Sequence, residues 1–428
     1  MKYIIKISLS SLITRKSKTA VTVLGLTLSV ALIVIVCAFC LGLADAQWNI
    51  LKMDHTSWGF EGDELIQRIS QDSDMILVIG ICVLFTSIAV AGAAIAMYNT
   101  LSVSLAEKAR TLSVLSTLGA KTAHKAALLF FDALWVSLIA IPLGFGVGIA
   151  AVRPLVGVLN ELFSAEYGVT DVVPFLHGTP LPFALSVVAL SLMTVTAASI
   201  RPALRLFGST AVEIARSAYR INVSFKKSPL DKLMIKKFGI TGSLASCNYT
   251  NNKHRYRQLS LSVSLSSLIL VLFSLMVRYM TGNGVSIDGD PIAKKFYFTV
   301  VAVILLIFAV SFLSAFCILY VSFNKRKGEF AMLKSMGTED GMLYRMVLLE
   351  AVYYGIYMLM FILIGAMVID CTLYYFISMN DPGTVFIYPF AEIGMAFGAV
   401  TVVTVILSVF MTATVKKTNI INELKKTF

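Results

Sequence analysis

The sequence predicts an all-α membrane protein of eight transmembrane helices, built as two tandem four-helix repeats with both termini cytoplasmic. Three observations carry this. Hydrophobic residues make up 57% of the chain and charged residues 14%, against about 25% charged in an ordinary soluble domain. Eight apolar stretches reach the ~20 residues that a helix needs to cross the hydrocarbon core. A basic segment closed by a glycine occurs twice, each time between two of those stretches.

The first repeat, 1–206, contains the stretches 19–43, 75–103, 126–150 and 181–200. The second, 258–428, contains 259–279, 296–321, 346–377 and 390–414. Sustained apolar runs of this length satisfy their backbone groups as helices, whereas barrel strands are shorter and alternate. A signal-peptidase-like Ala44-Asp45-Ala46 follows the first run. That run is far longer than the ~7–15 residues of a signal core, so it reads as an uncleaved first helix. Each repeat opens with a basic lead-in (Ser11–Lys18 and Asn251–Arg257), and a basic linker, 207–257, joins the two. Four crossings per repeat give both copies the same orientation, related by an axis along the membrane normal.

The net charge of +12 raises nucleic acid as a partner, and the placement of the charge argues against it. With both termini inside, 30 of the 36 Lys and Arg residues fall on one side. Asp45, Asp54, Glu61, Asp63, Glu64, Asp72 and Asp74 crowd the first loop on the other side. This is the positive-inside signature, with contact to anionic lipid headgroups. Cys37-x-x-Cys40 matches a redox spacing, but within an apolar run it reads as two small packing residues. Four scattered histidines offer no metal-ligand spacing.

The duplicated segment runs from Glu107 to Gly119 and from Lys325 to Gly337. A constant offset of 218 pairs Leu115 with Leu333, Gly119 with Gly337 and Asp132 with Glu350. Leu105, Leu112, Leu115 and Leu118 recur near helical spacing behind Glu107, Lys108 and Arg110. Phe330, Leu333 and Met336 do so behind Lys325, Arg326, Lys327 and Glu329. Each predicts a short amphipathic helix parallel to the membrane and ended by a glycine C-cap. Such a helix transmits force when seated in a partner's groove, or else it lies on lipid.

Charged residues, then Val114-Leu115-x-x-Leu118-Gly119 or Met332-Leu333-x-x-Met336-Gly337, then an apolar helix with an early acid, resemble the FtsX-like permease family. These are membrane subunits of the ABC class that includes macrolide exporters, lipoprotein-releasing permeases and bacitracin-resistance permeases. The resemblance covers both halves, most clearly 97–152 and 315–372, with Ala211–Arg216 and Ile421–Lys426 also matching. It implies that Glu107, Arg110, Val114, Leu115, Leu118 and Gly119, with Glu329, Phe330, Met332, Leu333, Met336 and Gly337, couple to an ATPase. The family favours an acid eight positions before the glycine; Glu329 keeps it, and the first copy has Thr111. The large extracytoplasmic domain usual in the family is absent.

No Gly-Lys-Ser/Thr triplet occurs in the chain, so there is no Walker A loop to hold phosphates. The chain therefore reads as a non-enzyme binding no cofactor itself. The resemblance implies that ATP and Mg are held by separate ATPase subunits, two copies, at the cytoplasmic face of a bacterial plasma (inner) membrane. With no large extracytoplasmic domain, the simplest expectation is direct export or extraction of an amphipathic peptide, lipid or antimicrobial compound, with a second permease or an extracellular partner as further options. A mechanotransmitter that moves no substrate is the alternative function.

Asp132 and Glu350 lie one to two turns inside their helices, where a carboxylate is costly unless paired. They read as structural acids beside the coupling helix, with a proton relay as the sharper alternative. Asp370 and Glu392 suggest a wet outer cavity. Trp48, Trp58 and Phe60 in the first outer loop read either as interfacial anchors or as a mouth for an amphipathic substrate. Gly144-x-Gly-x-Gly148 and the Ala89–Ala96 face allow close helix approach.

Overall fold

The computed structural model describes residues 16–107, 112, 114, 115, 117–167, 181–207, 229–282, 327–380 and 383–416, with scattered positions at 8, 10 and between 298 and 316. Every regular element among the described residues is an α-helix. In chain order these are α1 (Lys16–Ser57), α2 (Gly62–Gln71), α3 (Ser73–Glu107), α4 (Thr122–Tyr167), α5 (Leu181–Phe207), α6 (Pro229–Gly282), α7 (Lys327–Ser335), α8 (Asp340–Asn380) and α9 (Phe390–Lys416).

Among the described residues six spans are long and apolar enough to cross a membrane: Thr19–Ser57, Ser73–Ser102, Ala123–Pro154, Leu181–Ile200, Ser260–Tyr279 and Asp340–Met379. They match the expected stretches one to five and seven to within one residue where they do not contain them. Of the other two, 390–414 lies within α9, and 296–321 lies mostly outside the described residues.

In the first half α1 packs against α4 and α3, and α5 closes onto α3 and α4. The middle of α1, from Leu26 to Phe39, is buried at every position but Cys37, which explains why that run carries no polar stripe. By contrast Val83, Leu138, Met193 and Ile364 are exposed, the pattern of a lipid-facing surface. Without a hydrophobic drive between helices in lipid, close packing depends on small residues. A Cβ on Gly144 or Gly148 would lie 2.7 Å from Cβ of Val30 or Val34. The Gly144–Gly148 face thus packs α4 on α1 within the first half.

The second half repeats this arrangement: α6 packs against α8, and α9 lies against both. Gly365 of α8 sits directly over Leu268 of α6. The halves meet where α3 contacts α6 and α8. At that seam Phe273 lies 4.2 Å from Phe85 and 5.6 Å from Phe39, ring centre to ring centre. A Cβ on Gly80 would come within 2.8 Å of the Phe376 ring.

Two segments expected as loop or linker are helical. The acidic end of the molecule, 44–74, is formed by the end of α1, a turn at Trp58 and Gly59, and the short helix α2. Leu51, Leu65, Ile69 and Met75 bury one another there, with Trp48 and Phe60 against them. Asp72 accepts a hydrogen bond from the Asp74 N–H at 3.0 Å and caps α3. Likewise α6 begins at Pro229, so the latter part of the 207–257 linker is one helix with the following span.

Candidate functional site

The two glycine-closed segments adopt the same geometry. Gly119 has φ +84° and Gly337 φ +87°, a left-handed conformation that glycine adopts without steric cost. The Ala120 N–H donates to Leu115 O at 3.1 Å, and the Thr338 N–H to Leu333 O at 3.2 Å. These six-to-one bonds across a left-handed glycine are Schellman closures. Each turns the chain directly into the next long helix, α4 or α8.

The apolar residues of these segments divide into two sets. Leu112 and Phe330 are each 1% exposed. Leu112 is packed on Leu128 and Leu129 at the base of α4, with Leu115 beside it. Phe330 is packed on Met346 and Val347 at the base of α8, with Leu333 beside it. Leu118 and Met336 point the other way, 78% and 74% exposed. Val114 is also exposed, and its counterpart Met332 is half-buried. One edge of each segment therefore grips its own transmembrane helix while the other edge is bare.

The second copy has a larger socket. Tyr249 of α6 stacks on Tyr353 of α8 at 4.5 Å with 11° between the rings, and Tyr357 lies 5.8 Å away. Ala245 and Tyr249 enclose Phe330 together with Leu343, Met346 and Tyr353. Lys334 forms an ion pair with Asp340 at 2.8 Å across the turn. Sequence reasoning did not identify the part played by α6, because tyrosines carry no distinctive periodicity in a lead-in rich in basic and polar residues.

Asp132 and Glu350 sit behind these segments, both buried. Ser8 donates its hydroxyl to Asp132 Oδ1, and Asn248 Nδ2 donates to Glu350 Oε1 at 3.1 Å. In each half, then, the segment leading into the first span holds the acid of the third. A hydrogen bond to a charged group contributes about 1.5–3 kcal/mol, enough to offset much of the cost of a carboxylate near the membrane surface.

Arg110 and Thr111 lie outside the described residues, and for Glu107 and Glu329 only the backbone is described. Trp48 and Phe60 are half-buried against the cluster at the acidic end, and Trp58 is exposed. The His55 ring meets Trp58 edge-on at 5.1 Å and shares a 3.3 Å contact with Asp72. The Arg68 guanidinium lies 4.1 Å above Phe60. Among the described residues no group of three or more His, Cys, Asp or Glu is placed to hold a metal ion.

A model of the FtsX-like permease C-terminal family matches residues 83–211 and again 301–420, together more than half of the chain. The chain belongs to the FtsX-like permease family. The two matches begin at positions related by the same offset as Leu115 and Leu333, so the family unit itself occurs twice in this permease. No curated protein and no solved structure matches the chain. The permease is accordingly a multi-pass membrane protein and the membrane subunit of an ABC system.

Proposed function

We propose that this permease couples ATP hydrolysis by two separate ATPase subunits to export or extraction of an amphipathic peptide, lipid or antimicrobial compound from a bacterial plasma membrane. The reading rests on one observation: at equivalent places in the two halves, a short segment grips its own long helix by Leu112 or Phe330 and bares Leu118 or Met336. A bare apolar edge beside positive charge is suited to the groove of a cytoplasmic subunit. Its buried edge transmits the push to α4 or α8, because packed side chains are not compressible. Closure of two ATPases would tilt these helices against α3 and part the halves at the Phe39, Phe85 and Phe273 seam.

Leu118→Asp and Met336→Asp test this. Each single variant is expected to weaken co-purification with the ATPase and lower its stimulation, and the double variant to abolish both. Unchanged stimulation in the double variant overturns the docking reading.

A second reading, a mechanotransmitter that relays ATPase motion to an extracytoplasmic partner, has the unbroken extension of α1 to Ser57 in its favour. ATP-dependent loss of a labelled amphiphile from vesicles supports transport. Capture of an outer partner through Trp58 without such loss supports the relay.

A further inference from the structure

At the acidic end of the second half lies a polar cluster that the coupling device does not use. Tyr279 of α6 donates its hydroxyl to Asp370 Oδ1 of α8 at 2.8 Å. Arg278 binds both carboxylate oxygens of Glu392 on α9, at 3.0 and 3.2 Å. Asp370 is 0% exposed, and its Oδ2 has no hydrogen-bond partner among the described residues. A buried polar atom left without a partner is costly.

The first half shows that the fold does not require this cluster. Arg278 and Tyr279 lie as far beyond Asn248 as Ala38 and Phe39 lie beyond Ser8. Asp370 lies as far beyond Glu350 as Val152 lies beyond Asp132. Ala38, Phe39 and Val152 are all buried. Where one half packs hydrocarbon the other packs a carboxylate, so packing does not account for Asp370.

Charge points to the ligand. Glu392 takes the direct contact of Arg278 through both oxygens, whereas Asp370 is hydrogen-bonded only to a neutral phenol and feels the Arg278 charge at longer range. A hard metal ion takes six or more oxygen ligands, more than this cluster offers. An ammonium needs few acceptors and is also attracted to aromatic faces. Such faces stand beside the cluster: Tyr388 and Phe390 are stacked at 5.8 Å and exposed. The segment bearing Tyr388 roofs the site through two long bonds, from Arg278 to Tyr388 O at 3.5 Å and from the Ile387 N–H to the Tyr279 hydroxyl at 3.4 Å.

We propose that Asp370 Oδ2 is the ammonium-binding atom of a site for an amphiphile bearing a primary amine, entered past Tyr388 and Phe390 as this roof lifts. The proposal rests on the transport reading for what the bound molecule is, namely the substrate class. Its test is independent of ATPase docking.

The full-length permease, without ATPase, is placed in phosphatidylcholine nanodiscs, whose headgroups lack a primary amine. Binding of a dansyl-labelled long-chain alkylamine is compared with that of the same chain ending in a hydroxyl. The wild type is expected to prefer the amine by about tenfold or more, the size of a hydrogen bond to a charged group. Asp370→Asn is expected to lose the preference. So is Tyr279→Phe with Asp370→Val, which installs the residues that the first half already packs. Equal binding of amine and alcohol by the wild type overturns the proposal, as does a preference that survives in Asp370→Asn. Failure here leaves the Leu118 and Met336 results intact, and their failure leaves this binding intact.

Discussion

Phe330→Ala separates the gripping edge of the coupling segment from its docking edge. Phe330 is 1% exposed and enclosed by Tyr249, Leu343, Met346 and Tyr353. Its helix, α7, is nine residues long, below the ~12–15 residues at which an isolated helix becomes even marginally stable. The position of α7 therefore depends on this contact. Truncating a buried Phe costs about 3–5 kcal/mol, and each 1.4 kcal/mol is about tenfold in a population. The ratio of undocked to docked α7 should rise by about two to three and a half orders of magnitude. Met336→Ala truncates an exposed side chain, a change of about 0.5 kcal/mol or less in the fold.

Hydrogen exchange across 327–337, measured with ATPase stimulation on the same preparation, distinguishes the two edges. Phe330→Ala should exchange fast there and lose stimulation while the transmembrane spans stay protected. Met336→Ala should exchange as the wild type does and still stimulate less. Phe330→Ala with slow exchange and full stimulation refutes the reasoning.

Two further outcomes follow from the packing. Gly148→Val places a Cβ 2.7 Å from that of Val34 and 3.2 Å from the Ala31 carbonyl; about 1–3 kcal/mol of overpacking should lower the denaturation temperature of the purified permease. Gly146→Ala meets nothing within 4 Å and should leave that temperature unchanged. Asn248→Ala removes a donor from buried Glu350 and Ser8→Ala one from Asp132; each should cost about 1–3 kcal/mol in thermal unfolding, and Asn248→Asp more, through like charge.

Much of this was legible in the sequence. Six of the eight expected spans were readable because apolar runs of that length have few alternatives, and the glycine ends because a left-handed residue after a helix strongly favours glycine. The periodicity of Leu112, Leu115 and Leu118 announced an amphipathic helix, but not that its apolar residues point two ways. Leu115 and Leu118 are three apart and adjacent on the helix, so only the base of α4 decides which of them is covered. Ser8 and Asn248 carry no pattern, because each matters through a single hydrogen bond to a distant residue. The acidic segment 44–74 read as a loop since its charges interrupt the apolar run; Leu65 and Ile69, packed on Leu51 and Met75, make it helical. Asp370 and Glu392 suggested a wet outer cavity, but both are buried, on Tyr279 and Arg278, because α6 packs against α8 and α9 there.

The central claim is that the bare edges of the two segments touch ATPase subunits, and photo-crosslinking tests it directly. Benzoylphenylalanine placed singly at 118 or 336 should form an adduct with the ATPase in membranes, whereas at 112 or 330 it should not. Adducts from both outward positions and none from the inward ones are the predicted result. No ATPase adduct from either 118 or 336, in a complex that still hydrolyses ATP, would contradict the account.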